Sequence, residues 1–349
     1  MRWTGYLLLL LLLSGCVDVE ELEYPTGNPF DPADANYAGL EFMDSFTISK
    51  GSLEPKAIAV SGEDEIYLSW GAGGFIEKYS PDGELLAELE IRDSYDQIVG
   101  VQSLHLIDNE LYILAPFNEA DEDGNSILVQ KYSLDLQLVS KVGIPNLRAE
   151  EYGGENDVGP ILVHDVDPQG NYYVTYASRT GSSDLLKLFV RVCDNSGNVV
   201  RDFIVDTTGI GIAGDLFTIM GISVNQANEK YFKLLWNPPL GGNAIRYTVK
   251  YDTQDAREKY WEFGWTGGGS EYFDRLAFTT EGYICTSTWS GDLEVWNDEE
   301  RLQEIPMSDF NLRFARFGIA GAKTEKRLYA IASEAYPTRY HVMIFRYYW

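Results

Sequence analysis

Residues 55–91 contain four short apolar runs separated by turn-forming residues, a pattern that predicts four β-strands. Each run has the length of a sheet strand, is rich in β-branched and aromatic residues, and is bounded by Gly, Asp, Pro or Ser. The predicted strands cover residues 56–60, 65–70, 75–79 and 85–91. Together they form one antiparallel unit. The same pattern recurs as far as the C-terminus, with variation in sequence and spacing.

Two independent series of aligned positions give the number of these units in the chain. The aligned second strands carry Tyr67, Tyr112, Tyr173, Phe232, Tyr283 and Tyr329. The aligned third strands carry Tyr79, Tyr132, Val192, Tyr251, Trp296 and Tyr347. Both series give six units with the period of propeller blades, and the first strands fall at 58–60, 104–107, 163–166, 222–224, 276–278 and 314–319. We therefore predict an all-β, six-bladed β-propeller over residues 40–349, with these aromatic residues packed between blades.

The sixth unit reaches Trp349 just after its third strand, so its fourth strand is missing. An unpaired third strand would leave an open sheet edge. Residues 40–49 have the length and composition of the missing strand. We predict that they pair with residues 341–349 and close the ring.

The first unit resembles the repeat of NHL/TolB-like propellers. The resemblance rests on Pro55, the Ile-Ala-Val strand at 58–60, Tyr67 and the Tyr-Ser-Pro-Asp-Gly hairpin at 79–83. Trp70 and Phe75 stand where that repeat usually has polar residues. The resemblance implies the shared propeller architecture and no particular activity.

The start of the chain has the features of an export signal. Seven consecutive leucines at 7–13 are too few to span a bilayer, which needs about 20 apolar residues. Leu13-Ser14-Gly15-Cys16 resembles the lipobox of bacterial lipoproteins, which implies a signal peptide at 1–15 and acylation of Cys16. An ordinary secretory peptide cleaved near a chance Cys is the alternative.

Residues 16–39 are predicted to be a flexible tether, because Pro25, Gly27, Pro29 and Pro32 interrupt them and no strand or helix periodicity is present. In the lipoproteins that the start resembles, an Asp after the lipidated Cys favours inner-membrane retention, and Val17 occupies that place here. We expect an exported protein, lipid-anchored to the bacterial cell envelope at the outer membrane.

The charge of the chain limits its expected partners, and its cysteine content limits the disulfides it can form. From Cys16 onward the chain carries 26 basic and 54 acidic residues, which disfavours binding to nucleic acid. Three cysteines do not make a disulfide framework. Cys193 and Cys285 belong to units three and five, which do not touch, so we expect both to be buried and unpaired.

The predicted links differ in length between the two ends of the ring. The short links at 61–64, 80–83, 108–109 and 168–170 lie at one end, called here the hairpin face. The opposite end, called the long-loop face, receives the links at 116–126, 145–160, 177–184, 206–217, 236–243 and 264–273. Long loops that converge on one rim usually carry function, so we expect any ligand site there.

Two groups of residues have the composition of metal sites. Asp121, Asp123 and Asn125 have the alternate spacing of calcium ligands, which makes calcium a possible cofactor, although a solvated acidic loop gives the same pattern. His105 and His164 are predicted to line the channel, but His341 falls in the closing blade's third strand, away from it. A site of three histidines, as in propeller lyases, therefore lacks its third ligand.

A third group is acidic and amide-rich, and a fourth is aromatic. Glu and Asp with Asn surround calcium in six-bladed sugar-lactone hydrolases, although none of their local signatures is present here. The third group contains Asp93, Asp96, Glu155, Asn156, Asp157, Asp215 and Asp274, with Arg275 and Arg316 near the channel. The fourth contains Trp236, Trp261, Trp265 and Trp289, whose indoles would either stack on a ligand or plug the channel mouth.

These patterns favour a non-catalytic, membrane-anchored propeller that binds a protein, peptide or glycan through its long-loop face. The competing hypothesis is a metal-assisted hydrolase, lactonase or lyase with a site at the channel mouth. No catalytic motif is recognisable, and a fold by itself does not decide function.

Overall fold

The strands of the computed structural model form six antiparallel sheets of four strands each. Within the described residues, the helical segments at Gly71–Gly73 and Met307–Phe310 are short 3-10 turns, and no helix there could cross a bilayer. The structure describes residues 39–51, 53–92, 96–101, 103–114, 126–145, 158–179, 186–210, 216–237, 244–266, 276–279, 281–287, 292–297, 299–312, 314–321, 326–334 and 339–348.

Each sheet contains strands that are consecutive in the chain, except the sixth. Strand β1 (Gly39–Ile48) precedes the first blade. Blades one to three contain β2 (Pro55–Val60), β3 (Ile66–Trp70), β4 (Phe75–Tyr79), β5 (Leu85–Glu90), β6 (Ser103–Ile107), β7 (Glu110–Leu114), β8 (Ser126–Ser133), β9 (Leu138–Pro145), β10 (Val158–Val166), β11 (Tyr172–Arg179), β12 (Leu186–Cys193) and β13 (Val199–Ile204). Blades four to six contain β14 (Leu216–Val224), β15 (Lys230–Asn237), β16 (Ala244–Tyr251), β17 (Arg257–Thr266), β18 (Ala277–Phe278), β19 (Ile284–Ser287), β20 (Leu293–Trp296), β21 (Arg301–Ile305), β22 (Phe314–Gly321), β23 (Arg327–Ser333) and β24 (Tyr340–Tyr348). This order confirms the six-bladed β-propeller.

The ring is closed as the sequence predicts. Strand β1 pairs antiparallel with β24, from Gly39 opposite Tyr348 to Ile48 opposite Tyr340, and the sixth sheet has the order β1-β24-β23-β22. One irregularity interrupts the ladder between Phe42 and Asp44. The outermost strand of the last blade therefore comes from the front of the folded domain.

The hairpin face is built from loops of one shape. In most of these hairpins the first residue is Ser, Thr, Asp or Asn, and its side chain accepts a hydrogen bond from a main-chain N–H of the same loop. Asp167, for example, accepts hydrogen bonds of 2.9 Å from the N–H groups of Gln169 and Asn171. The fourth residue has positive φ, a conformation that favours Gly, Asn and Asp. These fourth residues are Asp64, Gly83, Leu136, Gly170, Gly197, Asn228, Asp255 and Gly282.

The hydrophobic core lies between the blades. Three of the predicted second-strand aromatic residues, Tyr67, Phe232 and Tyr329, are completely buried in clusters that join neighbouring sheets. Tyr283 is partly buried and lies just before β19. Aromatic residues thus recur along the chain because each blade packs one of them against a neighbouring sheet.

An ion-pair network joins blades three and four at the hairpin face. Asp255 accepts from the guanidinium of Arg201 at 2.5 Å and pairs with the fully buried ammonium of Lys230 at 2.7 Å. Burial alone would raise the pKa of Asp255, but the hydrogen bonds from Arg201 and Lys230 outweigh it and lower that pKa. The carboxylate is therefore held in its charged form by the fold.

Replacing Asp255 by Asn should lower the free energy of unfolding at neutral pH by about 1–3 kcal/mol, since two charged donors lose their anionic partner. Asn tolerates the positive φ of this position, so the backbone is preserved. Because the folded pKa of Asp255 is depressed, its contribution is present above the unfolded value of about 3.9 and is lost as the pH falls through the folded value. Urea unfolding of both proteins at neutral pH and below about pH 4 measures this.

The difference between the wild type and Asp255→Asn should shrink in acid. Asp82→Asn, on an exposed hairpin between β4 and β5, is the matched control and should change the free energy of unfolding by less than about 0.5 kcal/mol. A difference for Asp255→Asn that stays constant from neutral to acid pH would contradict this assignment.

The two cysteines of the propeller are unpaired and buried, as predicted. Cys193 lies in the cluster between blades two and three, and Cys285 in the cluster between blades five and six. Burial raises the pKa of both thiols to about 12. Both behave as small apolar residues and not as nucleophiles.

Native protein carrying Cys16→Ser should react with Ellman's reagent only on unfolding. The remaining thiols are buried and protonated at neutral pH, so the thiolate that attacks the reagent is scarce and shielded. The measurement is thiol release in buffer and in denaturant. Rapid release of one thiol equivalent from the native protein would show that Cys193 or Cys285 is accessible.

Candidate functional site

The first strands of the blades surround a central channel that contains a cavity of about 210 Å³. Its lining comes from the ends of β2, β6, β10, β14 and β18 that lead into the first hairpins. The cavity therefore lies at the hairpin end of the channel, opposite to the long-loop face. Its polar lining residues include His105, Asp165, Ser223, Asn225 and Gln226.

Asp165 is the centre of the polar contacts around this cavity. Its Oδ1 lies 2.6 Å from Nδ1 of His105 on blade two, and its Oδ2 accepts a hydrogen bond of 2.6 Å from the N–H of Val224 on blade four. Asp165 itself belongs to blade three, so one carboxylate connects three blades. The contact to Nδ1 orients the imidazole and, in a neutral ring, leaves the basic lone pair on Nε2.

Two further contacts extend these connections around the ring. Ser103 Oγ on blade two is hydrogen-bonded to Nε2 of His164 on blade three, and the rings of His164 and His105 have centroids 5.6 Å apart. Ser223 Oγ on blade four accepts a 3.1 Å hydrogen bond from the N–H of Leu276, beside blade five. Neighbouring first strands make no ladder with each other, so these side chains supply polar bonds between blades two and five.

A serine hydroxyl bonded to an imidazole is also the geometry of a nucleophile and its base. Ser103 and His164 are only 5% and 4% exposed, and neither lines the cavity. A substrate would have to reach a buried hydroxyl between two blades. The arrangement therefore fits a structural contact better than covalent catalysis.

His105 and His164 lie on first strands and His341 on a third strand, as predicted, but of the three only His105 lines the cavity. His105 and His164 come together at the channel, whereas His341 lies in β24, where Nε2 is 3.2 Å from Glu334 and Nδ1 is 3.4 Å from Thr47 Oγ1. Within the described residues, no three His, Cys, Asp or Glu side chains are grouped to hold a metal ion. A three-histidine centre is not assembled from these positions.

The tryptophans take different positions from those expected of exposed loop residues. Trp236 is buried within β15, in the cluster between blades three and four, and its Nε1 has no hydrogen-bond partner among the described residues. Trp261 is half-buried in β17 and stacks on Tyr231 at 6.4 Å. Strand β15 extends to Asn237, farther than the predicted loop boundary, and this extension places Trp236 on the core side. Both placements favour packing over ligand contact.

Asp96 is the one member of the acidic group whose side chain is described. It is 87% exposed, has φ of 61°, and lies 3.4 Å from the guanidinium of Arg92. Its carboxylate is thus exposed to solvent and paired with Arg92. Trp265 lies in β17 and Arg316 in β22.

The remaining predicted site residues lie outside the described residues, so the structure places none of them. They are Cys16, Asp93, Asp121, Asp123, Asn125, Glu155, Asn156, Asp157, Asp215, Asp274, Arg275 and Trp289. The calcium loop and most of the acidic group are among them.

Sequence reasoning did not single out Ser103, Asp165 or Ser223. One signal was available, since each is a polar residue in a mostly apolar first strand, in SLHLI, ILVHDV and GISV. A polar residue at a position that faces the crowded centre of a propeller needs a partner, and the next blade is the nearest source.

Comparison with known proteins supports the fold only. No protein-family model matches the chain, and no curated protein matches it. The PQQ-bound aldose sugar dehydrogenase of Streptomyces coelicolor is similar in structure, with a TM-score of 0.50, 12% identity, and 89% of this chain and 99% of that chain covered. Virginiamycin B lyase of Staphylococcus aureus gives a TM-score of 0.49 at 12% identity, covering 87% of this chain and 99% of that one.

A protein of unknown function from Bacteroides caccae is also similar, with a TM-score of 0.47, 11% identity, and 78% of this chain and 84% of that chain covered. At such low identities the likeness supports the propeller fold and carries no activity.

Proposed function

We propose that this protein is a lipid-anchored propeller of the bacterial cell envelope that binds a protein, peptide or glycan through its long-loop face without transforming it. The anchor is an acylated Cys16, the tether spans residues 16–39, and the outer membrane is the expected location. The ligand approaches the end of the ring that carries the long links.

The difference between the two ends of the ring is the observation that carries this proposal. Between consecutive described strands, no link on the hairpin face exceeds five residues, and most of these links are closed by their own side-chain hydrogen bonds. On the long-loop face, β9 ends at Pro145 and β10 begins at Val158, and β5 ends at Glu90 and β6 begins at Ser103. Long links on a rigid scaffold are where binding surfaces are usually built.

The contacts of the channel support binding over catalysis. Ser103, His105, His164 and Asp165 each bond to a neighbouring blade, so their polar atoms hold the ring together. An enzyme with its site at the channel mouth remains the competing proposal, and the cavity beside His105 and Asp165 is the observation in its favour.

Probing the purified mature protein against arrays of glycans and of peptides should reveal binding that depends on the long-loop face. Replacing residues 267–275 by a Gly-Ser link should reduce capture at least tenfold, because the change removes the side chains of one link of the proposed binding face. The strands on either side of that link, β17 and β18, are not altered. Gln254→Ala, on an exposed hairpin of the opposite face, is the matched control and should leave capture unchanged. The measurement is the equilibrium binding of each protein to the captured probe.

Two outcomes would overturn the binding proposal. One is capture that survives every change on the long-loop face but is lost with the hairpin-face control. The other is release of hydrolysed or eliminated products from the array by wild-type protein in the presence of calcium, zinc or manganese, which would establish the enzyme instead.

A further inference from the structure

The position at which the chain enters the ring affects the orientation of the anchored protein relative to the membrane. Gly39 pairs with Tyr348 and Leu40 with Tyr347. The N–H of Tyr347 donates a 2.9 Å hydrogen bond to the carbonyl of Lys326, which belongs to the hairpin between β22 and β23. The chain from Cys16 therefore joins the propeller at the rim of the hairpin face.

The opposite end of β1 lies toward the long-loop face. Ile48 pairs with Tyr340, the first residue of β24, and Tyr340 follows the link that connects β23 with β24. Links between second and third strands belong to the long-loop face. The polarity of the closing strand thus separates the anchor point from the expected ligand site by the height of the ring.

The separation between the two faces is about as large as the span of the tether. A first strand such as β10, with nine residues, spans roughly 30 Å at about 3.3 Å per residue. The 22 residues between Cys16 and Gly39 have a root-mean-square span of roughly 25 Å if they behave as a flexible chain. A body held at one end by such a chain keeps that end nearer the membrane on average.

The charge of the hairpin face argues against flat adhesion to the bilayer. Every hairpin described there in blades one to five carries at least one carboxylate, among them Glu63, Asp82, Asp135, Asp194 and Glu299, and none carries Lys or Arg. In the hairpin of blade six, the ammonium of Lys326 lies 3.2 Å from the carboxylate of Glu281 on the neighbouring blade, so the face as a whole is acidic. An anionic lipid surface repels such a face. The tether, and not a docking contact, therefore sets the distance.

We infer that the hairpin face is the membrane-proximal face and that the long-loop face points into the aqueous compartment. The inference rests on the lipid anchor proposed above and deepens it, since it restricts the ligand to a macromolecule presented from the water side and excludes lipid headgroups of the anchoring leaflet. The short hairpins then face the anchor, and the long links face outward.

Fluorescence quenching on vesicles tests this orientation with the full acylated protein. One dye is attached at Glu63→Cys, on an exposed hairpin between β2 and β3, and in a second protein at Arg339→Cys, an exposed position just before β24. Cys193 and Cys285 are buried and do not compete for the label. With a quencher on the lipid headgroups, quenching at position 63 should exceed that at position 339 at least twofold.

The controls separate this inference from the anchor on which it rests. Incorporation of labelled fatty acid into wild-type protein, but not into Cys16→Ser, reports the anchor, and both dyes on Cys16→Ser protein should be unquenched. Acylated protein with equal quenching at the two positions, or stronger quenching at position 339, overturns the orientation alone. Absence of acylation overturns the anchor and the orientation together.

Discussion

Deletion of residues 39–48 should abolish the cooperative unfolding transition of the entire propeller. The deleted strand β1 supplies the outer edge of the sixth sheet and pairs along the whole of β24. Without it, β24 becomes an open edge and the contact between the two ends of the ring is lost. Circular dichroism during heating should show a broad, non-cooperative change in place of a single transition.

The size of the effect follows from what β1 buries. Leu40, Phe46 and Ile48 are 0%, 9% and 3% exposed, and they enter the clusters on both sides of the sixth blade. At about 1.5–3 kcal/mol for each buried side chain, their removal costs roughly 5–9 kcal/mol. That loss is comparable with the whole stability of an ordinary domain, about 5–15 kcal/mol.

Point substitutions in β1 give the graded version of the same test. Phe46→Ala should lower the free energy of unfolding by about 3 kcal/mol, because the ring packs on Tyr79 at 5.8 Å and closes the boundary with blade one. Met43→Ala, at a 38% exposed position of the irregular part of the strand, is the matched control and should cost less than about 1 kcal/mol. Urea unfolding measures both.

Deletion of residues 18–38 should leave the transition temperature unchanged, since these residues precede the closing strand. If deletion of 39–48 also left a sharp transition at the wild-type temperature, the closing strand would be dispensable and the account of ring closure would fail.

The fold could be predicted from the sequence because it consists of one structural unit repeated six times. Each blade packs the same way on the next, so Tyr67, Phe232 and Tyr329 recur at equivalent positions, and a period in the chain becomes visible without any knowledge of contacts. Closure was also predictable, because a count of strands leaves one blade short by one. Both inferences use local patterns that alternate with turns.

The contacts around the channel were not predictable in the same way. Asp165 contacts His105 and Val224, which are separated from it by 60 and 59 residues. No local sequence pattern predicts either partner. Trp236 shows the complementary difficulty, since Pro and Gly residues after it suggest a loop, while the strand before it places the indole in the core. Pairings between blades depend on the three-dimensional ring.

The second large effect is expected at Asp165. Replacing it by Ala should lower the free energy of unfolding by about 3–5 kcal/mol, because the imidazole of His105 and the N–H of Val224 both lose a buried acceptor. His105 is only 8% exposed, so water in the neighbouring cavity can replace the carboxylate only in part. Gln226→Ala, at an exposed position that lines the same cavity, is the matched control and should change stability by less than about 0.5 kcal/mol.

A double-mutant cycle decides whether Asp165 acts through the blades it connects. If the carboxylate stabilises the ring by accepting from His105, then adding His105→Ala to Asp165→Ala should cost less than His105→Ala costs alone, and the coupling free energy should reach about 1–3 kcal/mol. Part of the penalty should persist, since the N–H of Val224 on blade four remains without its acceptor. Strictly additive costs would mean that the 2.6 Å contact contributes nothing to the joining of blades two and three, and that Asp165 is required for another reason.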